Sequence, residues 1–190
     1  MTSPTPKILA FAGALRKGSY NRKLIAIAAE RARAHGAEVD LLDLAEVAMP
    51  LYDGDLEEAS GLPPGAVEFR RRIAAATAVI ISSPEYNASI PGTLKNAIDW
   101  ASRSPNQPFP GKLVLLIAAS PGPFGAARVL PDLRKVLSSI GALVLPTQVH
   151  VGRAHEAFDE AGKLKLDHTM KSLDNAVGEL VTTARKLAAS

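Results

Sequence analysis

Gly13-Ala14-Leu15-Arg16-Lys17-Gly18-Ser19-Tyr20-Asn21 gathers the residue types that hold an anion. Glycines let backbone N–H groups approach closely, Arg16 and Lys17 carry positive charge, and Ser19 and Asn21 offer side-chain hydrogen bonds. Helical apolar spacing begins just beyond, at Leu24, Ile25, Ile27 and Ala28, so the stretch runs into the positive end of a helix. A dianionic phosphate monoester suits that combination. The spacing matches neither G-x-x-x-x-G-K-[ST], because Lys17 precedes Gly18, nor G-x-G-x-x-G. A strand-to-helix turn with Ser19 or Asn21 as N-cap accounts for the same residues.

Two further stretches suit a flat ligand. Pro84-Glu85-Tyr86-Asn87-Ala88-Ser89 sets a carboxylate, a phenol and an amide on backbone stiffened by Pro84 and Pro91. Rigid backbone of this kind can flank a heteroaromatic ring and read its edge. Glu85 and Asn87 serve equally well to satisfy the turn's own backbone, with Tyr86 packed on the surface. Ser120-Pro121-Gly122-Pro123-Phe124-Gly125 allows a second planar edge to come close, or is a plain Pro-Gly turn.

Other chemistries lack their residues. His35, His150, His155 and His168 are scattered without metal-ligand spacing, so no metal site is expected. No G-x-S-x-G occurs, and Ser120 lacks a nucleophile-elbow context. Glu57 and Glu58 are adjacent on an expected loop and read as solvated charge. The chain has no cysteine, so any redox role must rest on a bound cofactor.

The elements that must carry these stretches follow from apolar periodicity. Lys7 to Gly13 reads as a buried strand, and the helix after it closes at Gly36. Val39 to Leu44 is a second strand, and Met49 to Gly65 is loop-like. Helix signals resume at Ala66 with Val67, Phe69 and Ile73, then comes strand Ala78 to Ser82. Leu94, Ala97, Ile98 and Ala101 mark a helix with Pro91 in its first turn. Trp100 falls off that stripe and reads as either core edge or a subunit contact, with the contact favoured because large aromatics anchor interfaces. Lys112 to Ala119 is the most apolar strand. Val129, Leu133, Val136, Leu137 and Ile140 form a helix closed by Gly141, with Pro131 near its start. Ala142 to Leu145 is a last strand, Asp159 to Gly162 a turn, and Met170 to Leu187 a strongly periodic helix.

Alternating helices and continuously apolar strands predict a parallel sheet covered on both faces, one three-layer α/β domain over residues 1–190 behind a short leader, residues 1–6. The three chemistry-bearing loops follow its first, third and fourth strands and would open at one carboxyl edge. The composition is 47% hydrophobic with a net charge of +3, and no apolar run is long enough for a bilayer. Without a secretory pattern, a cytoplasmic protein is expected, with no membrane partner. Arg70-Arg71-Arg72 points several ways around a helix and reads as a solvated face, so no nucleic-acid partner is expected.

The first stretch resembles the G-S-L-R-x-x-S-x-N loop of the NADPH-dependent FMN reductase family, which includes bacterial quinone and chromate reductases and some azoreductases. Ser83-Pro84-Glu85-Tyr86-Asn87-x-Ser89-x-Pro91-Gly92-x-Leu94-Lys95-Asn96-Ala97-Ile98-Asp99-Trp100 is similar to its second signature almost throughout. Ala119-Ser120-Pro121-Gly122-x-x-Gly125-x-x-Arg128 resembles its third flavin-side loop. The resemblance implies a flavodoxin-like doubly wound five-stranded parallel sheet of order 2-1-3-4-5, binding FMN, with NADPH or NADH as co-substrate. It further implies a quinone-like acceptor, or azo compounds, free flavin or chromate, and a homodimer or homotetramer. Carried over by position, Leu15, Arg16, Lys17, Gly18, Ser19 and Asn21 would hold the FMN phosphate. Pro84, Glu85, Tyr86 and Asn87 would line the isoalloxazine ring, and Ser120 and Gly122 would close its other edge. No catalytic side chain is named, since the flavin carries the chemistry. Two departures stand out: Ala14, where the family has Ser, and Gly125-Ala126-Ala127, where many relatives have a second Gly. A flavodoxin-like FMN electron carrier without nicotinamide turnover would use the same loops.

Overall fold

The computed structural model describes residues 4–188. Its centre is built from the continuous apolar runs: β1 (Lys7–Ala12), β3 (Ala78–Ser82) and β4 (Leu113–Ala119) are buried along nearly their whole length. Strands of this kind need cover on both faces, which a parallel sheet with crossover helices provides. The more polar β2 (Glu38–Leu42) and β5 (Leu143–Val151) close the edges. Every neighbouring pair is parallel, in the expected flavodoxin-like order β2-β1-β3-β4-β5.

Side chains alternate across this sheet and feed two cores. Ile8, Ala10, Ile80, Leu115 and Ile117 pack on α1 (Tyr20–Ala34) and α7 (Asp167–Ala188). Leu9, Phe11, Val79, Ile81 and Leu116 pack on α3 (Pro64–Ala75), α4 (Gly92–Ala101) and α5 (Val129–Ser139). Phe11 meets Phe69 edge to face at 5.3 Å, an arrangement aromatic quadrupoles favour.

Several sequence expectations are corrected. Residues 49–65 are not all loop: Asp53 caps α2 (Gly54–Ser60), its carboxylate accepting from Asp55 N at 2.9 Å. No residue of α2 is buried, so the helix has no apolar stripe to betray it. Glu57 is not simply solvated; it accepts from Tyr52 Oη at 2.9 Å and from Arg103 Nε at 3.0 Å. Trp100, expected at a subunit contact, is fully buried, with its indole N–H on the Pro50 carbonyl at 2.8 Å. The segment Met49–Tyr52 folds over α4 and buries it, which no pattern within the helix itself records.

The last strand runs on to Val151, past Pro146. Its register against β4 shifts between Val144 and Gln148, and Pro146 sits in that irregularity, where its missing N–H breaks no ladder bond. Arg134 donates to the carbonyls of Val144 and Leu145 at 3.0 and 2.6 Å, bracing the chain at the shift. A short α6 (Ala154–Ala157) follows, unforeseen because it spans a single turn. Of the expected leader, Met1 to Ser3 lie outside the described residues. Pro6 is already buried, its carbonyl accepting from Glu38 N at 3.0 Å.

Candidate active site

Strand order places the carboxyl ends of β1, β3 and β4 side by side, which brings the three loops to one rim of the sheet. Backbone bonds join them: Gly13 N reaches Ser82 O at 2.9 Å, and Ser83 N reaches Ile117 O at 3.0 Å. At Gly13 an added Cβ would stand 2.7 Å from Leu94, so the loop after β1 leaves its strand pressed against α4.

The first loop ends where Ser19 caps α1, its hydroxyl accepting from Asn21 N at 3.2 Å. Leu15, Arg16, Lys17 and Gly18 are exposed, and the first turn of α1 holds no acidic residue. Among the described residues neither Arg16 nor Lys17 makes an ion pair. Two free cations, an exposed glycine and the amide end of a 15-residue helix make a surface fitted to a phosphate dianion.

Asn21 stands behind this surface. It is 2% exposed, with Nδ2 donating to Ala119 O at 2.8 Å and Oδ1 accepting from Ala119 N and Ser82 Oγ, both at 2.9 Å. One side chain of α1 thus ties the ends of β3 and β4, the strands that carry the other two loops. Its amide is therefore engaged inside the protein, holding the rim together.

The second loop is set by a tight turn. Tyr86 and Ser89 exchange both backbone hydrogen bonds at 3.1 Å, with Asn87 and Ala88 at φ of 50° and 64° between them. Positive φ at both central positions is a type I′ geometry, which Asn tolerates and Ala resists, so the turn carries strain. Tyr86 is half exposed beside it, while Pro84 is buried. The Glu85 carboxylate is engaged within the protein: it accepts from Arg128 N at 2.9 Å, Val129 N at 3.3 Å and Arg128 Nη1 at 3.1 Å. It caps α5 and staples the second loop to the third.

In the third loop Ser120 Oγ accepts from Gly122 N at 3.2 Å, and Gly122 O accepts from Arg153 N at 3.0 Å. Gly152 passes so close that an added Cβ would lie 2.3 Å from the Pro123 carbonyl. Ala126 adopts φ 61°, the backbone a glycine takes without strain. Among the described residues no group of His, Cys, Asp or Glu could hold a metal.

A model of the NADPH-dependent FMN reductase family matches residues 6–156, which include all three loops. The chain belongs to that family. It is 39% identical over 182 residues to an NAD(P)H-dependent FMN reductase of Pseudomonas aeruginosa, covering 95% of this chain and 96% of the relative. To a quinone reductase of Escherichia coli it is 40% identical over 185 residues, covering 92% and 95%. The solved structure of a flavoenzyme NAD(P)H:(acceptor) oxidoreductase from Paracoccus denitrificans superposes with a TM-score of 0.83 at 31% identity, covering 96% and 98%. The fold and the oxidoreductase class therefore stand together.

Three residues of this family member's rim were not singled out by sequence reasoning. Arg22 and Asp43 brace the first loop, and Gly152 makes room for the third. Arg22 directly follows Asn21 in the motif, but its partner, Asp43, comes from the far end of β2. The Asp43 carboxyl is pushed up by burial, yet lies below its ordinary value because the Ala45 N–H and the Arg22 guanidinium more than offset that. No helix among the described residues is long and apolar enough to cross a membrane.

Proposed function

We propose that the chain is an NAD(P)H-dependent oxidoreductase that binds FMN along this rim and reduces a quinone-like acceptor. The observation that carries the reading is the first loop: Arg16 and Lys17 exposed and unpaired, with no acid in the first turn of α1. Leu15 to Ser19 would hold the phosphate, Arg16 and Lys17 by charge, Gly18 and its neighbours through backbone N–H groups. Asn21 keeps that loop in register with β4. Pro84, Tyr86 and Asn87 would line the ring, and the backbone of Glu85 would face it while its carboxylate stays on α5. Ser120 and Gly122 would close the opposite edge.

Bound there, FMN would supply the redox chemistry between a nicotinamide and the acceptor. The chain's own task is to hold the ring rigid between the strained turn at Asn87–Ala88 and the Ser120 turn, and to leave one face open to both substrates. That division needs no side chain as acid or base. Azo compounds, free flavin and chromate are further acceptors to assay beside quinones. We place the protein in the cytoplasm as a homodimer or homotetramer, a state supported by Leu51 and Phe124, apolar residues 81% and 72% exposed.

The test is an absorption spectrum of protein loaded with FMN and desalted, recorded before and after anaerobic NADPH and then NADH. A retained flavin band that bleaches with nucleotide is the expected result. A retained band that does not bleach would make the protein a carrier, and a colourless protein would remove the flavin reading. Arg16→Ala is expected to weaken FMN binding by about 1.5–3 kcal/mol through loss of a charge-assisted phosphate contact. Titration of apoprotein with FMN reads this directly; unchanged affinity would move the phosphate off this loop.

A further inference from the structure

Arg22 and Asp43 belong to no part of the rim described as touching a ligand, yet they control the loop that would. Arg22 Nη1 donates to the Leu15 carbonyl at 3.3 Å and to Asp43 Oδ1 at 3.2 Å, while Nη2 forms a close ion pair with Asp43 Oδ2. Asp43 also accepts from Ala45 N at 3.1 Å and so caps the 3₁₀ turn Leu44–Val47. The guanidinium fork is therefore held at both prongs by a carboxylate that the end of β2 fixes in place. Both side chains are about 30% exposed, 30% and 29%, which shields the pair from full hydration.

The consequence lies in the peptide plane. A trans peptide sends its carbonyl and the following N–H in opposite directions. Anchoring the Leu15 carbonyl on Arg22 thus fixes the direction of the Arg16 N–H, on the side of the loop away from Arg22. A second bond tying this exposed span runs from Ser19 N to Arg16 O at 3.0 Å. Without Arg22, the Leu15–Arg16 plane is free to turn, and the loop must be ordered again whenever a ligand binds.

We propose that the Arg22–Asp43 pair is a positioning device for the phosphate end of the cofactor, setting the Leu15–Arg16 peptide plane and thereby the preference for FMN over riboflavin. The inference rests on the reading that the first loop holds the phosphate. It differs from a simple charge effect in sign. If Arg22 acted by attraction alone, removing the Asp43 charge would free its field and tighten FMN. A positioning role requires the reverse.

The experiment is a titration of apoprotein with FMN and with riboflavin, followed by flavin fluorescence, for wild type, Asp43→Asn and Arg22→Lys. Asn keeps the cap on Ala45 N but not the ion pair; Lys keeps the charge but cannot fork between Leu15 O and Asp43. The expected result is wild type preferring FMN, and each variant losing FMN affinity about tenfold while riboflavin affinity changes by less than about twofold. Tighter FMN in Asp43→Asn, an unchanged FMN-to-riboflavin ratio, or equal loss for both flavins overturns the positioning role. Wild type without preference for FMN is a different failure, since it removes the phosphate from the first loop altogether. Arg22→Lys decides the matter should Asp43→Asn fail to fold, which a melting curve reveals beforehand.

Discussion

Asn21→Ala is expected to destabilise the protein by about 3 kcal/mol and to release bound flavin more readily than any change at the exposed loop residues. The substitution leaves Ala119 N, Ala119 O and Ser82 Oγ without their partner, in a place where Asn21 is only 2% exposed. Each unsatisfied buried group costs about 1–3 kcal/mol, and water entering the gap offsets part of the sum. Because the amide ties the helix after the first loop to the strands carrying the other two, stability and flavin retention should fall together. Asn21→Asp sharpens the test: it sets an oxygen against Ala119 O and buries a charge, so at neutral pH it should cost at least as much. Its deficit should shrink as the new carboxyl becomes protonated. Thermal melts across pH, with flavin release followed by fluorescence, check both. Asn21→Ala with near wild-type stability would show that the Ala119 pairing contributes little.

Trp100→Ala should cost about 4 kcal/mol, the range for emptying a large aromatic site in a core. The ring is fully buried, meets Tyr52 edge-on at 5.0 Å, and donates its N–H to Pro50 O. For a chain of this length the melting temperature should fall by about 8–16 °C. Trp100→Phe keeps most of the packing, loses the hydrogen bond, and should cost about 1–2 kcal/mol. As the chain's single tryptophan, Trp100 also reports on itself: its native emission should be that of a buried indole and shift red on unfolding. A subunit contact would behave otherwise. Trp100→Ala should leave the oligomeric state unchanged, and dissociation in that variant without loss of protomer stability would return Trp100 to an interface.

These two residues divide what was legible from what was not. Asn21 was marked by its place in an anion-loop pattern, and its loop does lie on the expected rim. Its partners lie 61 and 98 residues away in Ser82 and Ala119, so no local pattern could show that its amide is used internally. Glu85 is the same case. Its motif was readable, but the use of its carboxylate to cap α5, 43 residues on, was not. The helical stripe of α4 was likewise correct at Leu94, Ala97, Ile98 and Ala101, and misjudged only at Trp100, where cover arrives from Met49–Tyr52.

What the sequence by itself determined is whatever depends on near neighbours. Apolar period set strand against helix, Pro and Gly marked the turns, and the alternation of the two types, under the right-handed crossover rule, dictated a parallel sheet with its loops at one edge. The loop motifs were specific enough to carry family membership. The tertiary structure alone decided which polar side chains stay exposed at the rim and which are consumed in holding it. That choice depends on register and strand order, which bring Asn21 to Ala119, Glu85 to Arg128 and Arg22 to Asp43 across separate elements. A polar residue in a loop has the same local sequence in either role; only the partner, fixed by the sheet, distinguishes them.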